Sequence, residues 1–290
     1  MIKNEYGGTL RLNQVSKKSN WLVPVLVYIS ILSIFVVRTL LAYIFFMPSL
    51  FEIFNILVLI LSGVVLTYYY RTLTQIDFIV VTIVAIILGL TVTFTSFYPL
   101  LPLSGSILLS IGHAGSFAII FAAGLALAHQ GGPVQLAIVE NDSHGAWKGV
   151  LIGLLIGFPF ALVNAFAFSM MQGQSFVFQD PFLSGIDALQ PGIVEEVVYR
   201  LTFLNIIWSV LRKYVPDRAV SLAALLALLV HNYAHLSDLF MVQPIFAVVY
   251  GAVILLLFGL PMTVLAVKRN LESAISFHWI VDFVRFLVGL

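Results

Sequence analysis

The sequence predicts an all-α fold, a polytopic transmembrane helix bundle of about eight to nine spans, and three observations carry that prediction. The chain of 290 residues is 61% hydrophobic and 9% charged, with a mean hydropathy of +1.08, a balance foreign to a water-soluble domain of this size. Apolar runs of about 20 residues, the length that crosses a hydrocarbon core, recur along the chain. Lys and Arg collect in alternate connections, as expected when one face of the bundle is cytoplasmic.

Taken in order, the runs place spans near 21–46, 51–70, 78–98, 105–128, 149–171, 185–211, 219–236, 242–267 and 273–290. A cytoplasmic N-terminal segment, 1–20, precedes them. With the N-terminus inside, the inside segments hold Lys3, Arg11, Lys17, Lys18, Arg71, Lys148, Arg212, Lys213, Arg218, Lys268 and Arg269, and the outside connections hold no Lys or Arg. Arg38, Arg200 and Arg285 fall within spans. The first apolar run is too long for a cleavable signal, so an integral protein of the plasma membrane with a cytoplasmic N-terminus is expected. The connection 130–149 is too short for a domain, and there is no repeat. The chain therefore divides into helices without a motif, 21–184, and a motif-bearing segment, 185–290.

Composition also excludes. With no cysteine there is no disulfide framework, thiol nucleophile or cysteine-bound metal. The net charge of +1 says nothing of nucleic acid, and with no basic stripe interleaved with aromatics no nucleic-acid partner is expected. The lipid bilayer is the first partner expected.

Polar residues inside apolar spans are functional candidates, because each charge costs roughly 2.5–3.5 kcal/mol at a helix centre. Three groups lie in the last hundred residues: Glu195, Glu196 and Arg200 in PGIVEEVVYR; His231 and His235 in LLVHNYAHLSD; His278 and Asp282 in SFHWIVDF. Glu196 and Arg200, four apart, face each other on a helix as a charge-assisted pair, which leaves Glu195 without a local partner. His231/His235 and His278/Asp282 repeat the same spacing. Each pair suits two metal ligands or a base and its orienting partner, and spacing alone does not choose. Glu195, His231, His278 and Asp282 lie on the order of 14–26 Å from their basic connections, a depth at which three helices can meet. Arg38 is expected to snorkel or to meet a bundle acid such as Asp187, His113 to be a packing histidine, and Asn164 an interhelical hydrogen-bonding residue. Pro191 and Gly192 are placed to kink their helix.

The ordered motifs resemble the CPBP family, the membrane-embedded CAAX prenyl endopeptidases and their bacterial relatives linked to bacteriocin self-immunity or abortive infection. EEVVYR fits its EExxxR motif, a histidine follows late in the next span, and VKRNLESAISFHWIVDF looks like its closing basic turn and Hxxx(N/D) signature. The resemblance implies an intramembrane endopeptidase acting on a membrane-associated or prenylated or leader peptide, or on a membrane protein. It makes Glu195 the base that activates water, completed by Glu196 and Arg200; His231 holds the water, and His278 and Asp282 stabilise the oxyanion. It also implies no cofactor and no bound metal. Two positions depart from the pattern: Ala227 stands where an aromatic is usual, so that His235 competes with His231, and Asp282 stands where some members have asparagine. Arg285, three residues on, is placed to hold Asp282 in an ion pair.

Three other readings stay open. Glu195, His231, His235, His278 and Asp282 form an adequate ligand set for zinc. A proton- or ion-coupled transporter also places carboxylates and histidines at mid-depth, although here they crowd one end of the chain. A catalytically silent immunity protein retaining the motifs is the last.

Overall fold

A computed structural model describes residues 20–45, 47–95, 100–101 and 103–290. Apart from Asn20, the expected cytoplasmic segment 1–20, with Lys3, Arg11, Lys17 and Lys18, lies outside the described residues, as do the ends of the first and third expected spans.

Among the described residues there are twelve α-helices: α1 (Leu22–Ala42), α2 (Leu50–Tyr69), α3 (Gln75–Thr91), α4 (Ser106–His129), α5 (Ser143–Gln172), α6 (Pro181–Leu189), α7 (Leu204–Leu211), α8 (Ala219–Ala234), α9 (Ser237–Val242), α10 (Pro244–Ile254), α11 (Leu260–Lys268) and α12 (Leu271–Leu287). Between α6 and α7 the chain continues as π-helical turns, Gln190–Phe203, and a shorter π segment, Leu255–Gly259, joins α10 to α11.

Six of these stretches are long and apolar enough to cross a bilayer: Leu22–Ala42, Leu50–Thr72, Gln75–Phe94, Ser106–His129, Ser143–Gln172 and Pro244–Lys268. The expected count of eight to nine is therefore corrected to six. The three segments that fall away, 185–211, 219–236 and 273–290, fail for physical reasons. The first is split into α6, the π turns and α7 and carries four charged residues, Asp187, Glu195, Glu196 and Arg200. The second, α8, has 16 residues, and the third, α12, has 17 residues and carries Glu272, Asp282 and Arg285. These are interior elements. In the π segment every residue but Ile193 is buried, whereas in α1 only Pro24, Ile31 and Arg38 are.

Local sequence explains the main elements. Ser49 with Glu52 and Thr74 with Asp77 form reciprocal capping boxes that start α2 and α3, satisfying backbone donors that a helix start leaves unpaired. Asp77 also meets His129 Nε2 at 2.9 Å, tying the start of α3 to the end of α4. Gly149, Gly153 and Gly157 recur every fourth residue and turn one bare stripe of α5 onto α12. A Cβ at Gly153 would collide with Ser276 and with the Ser273 carbonyl. This close approach is the small-residue packing that membrane helices use when no hydrophobic force draws them together.

Hydrogen bonds define two faces. On one, Asn20 N–H donates to Tyr214 O and Leu271 N–H to Gln135 O, Arg212 to Gln130 O and Asn270 to Gly145 O. Arg71, Lys148, Lys213, Arg218, Lys268 and Arg269 lie at this face, at or beside the helix ends there. On the other, Arg38 donates to Pro48 O and Ser237 O, and Val177 N–H to Val288 O.

Candidate active site and metal cluster

Glu195 sits on the π turns with its carboxylate aimed at the last turn of α8. Its Oε2 lies 2.6 Å from His231 Nε2, 3.4 Å from His235 Nε2 and 3.9 Å from His278 Nε2. One oxygen thus gathers three imidazoles. The expectation that Glu195 lacks a partner holds only within its own helix; the partners come from α8 and α12.

Glu196 turns the other way. Its Oε1 accepts from Arg200 Nη1 at 2.7 Å, the pair expected from i,i+4 spacing, and stands 2.8 Å from His278 Nδ1. Glu196 and Arg200 are almost wholly buried, at 0% and 1% side-chain exposure. His278 Nε2 lies 3.4 Å from Asp282 Oδ2, and Asp282 Oδ1 pairs with Arg285 at 3.1 Å. Arg200, Glu196, His278, Asp282 and Arg285 therefore form one chain of alternating sign. Because ionised carboxylates only accept, this arrangement suits a His278 ring with a proton on each nitrogen.

The π geometry is built by side chains. Pro191 cannot donate to the ladder. Gln190, fully buried, donates to Leu88 O and Thr91 Oγ1 and meets His113 Nε2 at 3.0 Å, anchoring the start of the segment on α3 and α4. His113, expected as a packing residue, is a hydrogen-bonded anchor. A Cβ at Gly192 would stand 3.2 Å from Trp279 Cα, so glycine lets the π turns approach α12 closely. π turns are rare and are frequently found at functional sites.

Sequence reading missed a second tier of residues. Tyr199 stacks on the His231 ring with centroids 4.6 Å apart, and its hydroxyl donates to Asn55 Oδ1. Phe51 covers His235 at 4.5 Å. Asn55, a polar residue in an apolar run, was the available signal; nothing marked Phe51. Arg38 meets Asp238 at 3.1 Å, and not the suggested Asp187. Asn164 and Asp187 line a cavity of about 410 Å³ whose wall also includes Glu195, His231, His235, His278, Asp282 and Arg285.

Glu195, His231 and His235 each turn a ligand atom to one point, all within 4.8 Å of one another. Two ligands held about 2.0–2.2 Å from one zinc ion are separated by roughly 3.3–3.6 Å in a tetrahedral site. The Glu195–His235 distance already matches, and the Glu195–His231 pair needs only a small parting. An oxygen and two imidazole nitrogens suit zinc. The expectation of no metal is corrected on this ground: the cluster favours the zinc alternative. His231 and His235, competitors in the sequence, both reach Glu195.

Fold and site together define a helical membrane protein with a metal-compatible Glu/His/His cluster in which Glu195 and His231 are buried and His235 is exposed. Residues 177–284 match the family model described as Type II CAAX prenyl endopeptidase Rce1-like, a CPBP-type CAAX protease family, the one the motifs resemble. No curated protein and no solved structure matches the chain.

Proposed function

We propose that the chain is a metal-dependent, membrane-embedded endopeptidase of the CPBP type. The observation that carries the reading is the convergence of Glu195, His231 and His235 on one point in the wall of a cavity at the heart of a CAAX-protease-type segment. A zinc ion held there would polarise a water or a carbonyl for attack on a peptide bond.

The chain's own residues do the rest. His231 is fixed by Tyr199 and His235 by Phe51, so both rings are oriented before a substrate arrives. Glu195 would help hold the ion through one carboxylate oxygen, and its other oxygen takes the proton released by the attacking water. His278, held between Glu196 and Asp282, donates a hydrogen bond to the carbonyl oxygen as charge develops and then a proton to the leaving amine. Glu196 and Arg200 position His278, and Arg285 holds Asp282. The substrate is a peptide or membrane-protein segment.

The test is purification in detergent, metal analysis, and incubation with prenylated and unprenylated peptides read by mass spectrometry. Stoichiometric zinc is expected, with cleavage lost on chelation and restored by zinc. Glu195→Gln should lower cleavage by at least about 10²–10⁴-fold. Full activity after complete metal removal would sink the metal assignment. Bound zinc without cleavage of any peptide would favour a catalytically silent metal-binding protein.

A further inference from the structure

The cavity has a direction. Its wall draws Phe51 from the start of α2, Asn164 and Phe168 from the far part of α5, Asp187 from α6, His231, His235 and Leu236 from the end of α8, and Asp282, Arg285 and Phe286 from the later turns of α12. These positions lie toward the face opposite Arg71, Lys148, Arg212, Lys213, Arg218, Lys268 and Arg269, while Met262 and His278 form the inner end of the cavity, nearer the basic ends of α11 and α12. On α8, His231 lies about 18 Å along the helix from Ala219 at the basic face. Exposure rises in the same direction: the His231 side chain is 6% exposed and that of His235, one turn on, 40%. The same half of the bundle is loosely closed, because α10 packs on α8 and α9 and makes no extensive contact with α5 or α12.

Basic residues of membrane proteins are retained on the cytoplasmic side. We infer that the cavity opens on the extracytoplasmic face, and that its substrate is a polypeptide segment presented from that side, either exported or anchored in the outer leaflet. The direction of opening stands on the geometry and the charge distribution; the substrate class rests on the peptidase reading.

The chain contains no cysteine, so single cysteines can report the direction without a background. Asp238→Cys and Gln174→Cys mark the face that carries the opening, Phe168→Cys marks the cavity wall, and Lys213→Cys marks the basic face. Intact cells expressing each variant are treated with a membrane-impermeant maleimide, before and after permeabilisation. The first three are expected to label in intact cells, and Lys213→Cys only once the membrane is breached. Labelling of Lys213→Cys alone in intact cells would overturn the orientation. Labelling of Phe168→Cys together with Lys213→Cys, against the other two, would overturn the direction of opening. In proteoliposomes of defined orientation, peptide supplied to the Asp238 side should be cleaved and peptide sealed on the Lys213 side spared; the reverse would overturn the substrate class. Correct labelling with no cleavage from either side would reject the peptidase reading and leave the opening where it is placed here.

Discussion

The six long apolar helices and the three interior elements differ in what surrounds them. On α5, Leu155 is 74% exposed while Gly153, two residues away, is pressed against α12; α1 turns most of its side chains outward. The π turns are enclosed by protein, and with α8 and α12 they hold Glu195, Glu196, Arg200, His231, His278 and Asp282, all buried. Charge is tolerated where other helices replace lipid and supply partners. The elements too polar or too short to meet lipid alone are the ones that can carry chemistry.

The contrast can be broken most severely at Glu196. Glu196→Ala would leave Arg200 buried without its carboxylate, and a loss of about 3–5 kcal/mol is expected in detergent unfolding. A change comparable to a surface substitution would show that the interior network is not needed to hold the π turns. Gly153→Val should cost about 1–3 kcal/mol by forcing α5 away from α12, and a zinc titration should show weakened binding only if the displacement reaches the π turns. Leu155→Ala, on the outward side of the same helix, should stay within about 0.5 kcal/mol. Equal effects of the two α5 variants would erase the distinction between the helix's faces.

The smallest effect lies at the basic face. Burial pushes the Glu272 carboxyl up, opposed in part by the hydrogen bond it accepts from Ile138 N–H. The folded chain then holds this proton more tightly than the unfolded chain does. The resulting stability is complete below the ordinary carboxylate range, about pH 4, and is lost as pH rises through the raised value. Thermal unfolding across that window should show a decline in the wild type that Glu272→Gln lessens; parallel curves would dismiss the contribution.

Much of the site was legible because its spacing is local. Glu196 and Arg200 meet four residues apart on one segment, so helical geometry alone brings them together, and the motif order was enough to mark the segment that matches the CAAX-protease family. The span count was less legible. Hydropathy reports composition, not neighbours, and 185–211, 219–236 and 273–290 have enough apolar residues to look like spans while being packed inside the protein. His235 looked like a competitor of His231 because sequence cannot show that Glu195 Oε2 reaches both.

By itself the sequence determined the class, an all-α membrane protein, and the concentration of ionisable side chains in its last hundred residues, because a bilayer constrains composition directly. It also determined the pairs that lie one helical turn apart. Only the tertiary structure decided that Glu195, His231 and His235 share one point, that His278 lies between Glu196 and Asp282, and that Arg38 reaches across 200 residues to Asp238. Those contacts depend on how helices rotate and pack against one another. That packing is governed by features such as the glycine stripe of α5 and the Gln190 anchor, whose effect exists only once their neighbours are in place.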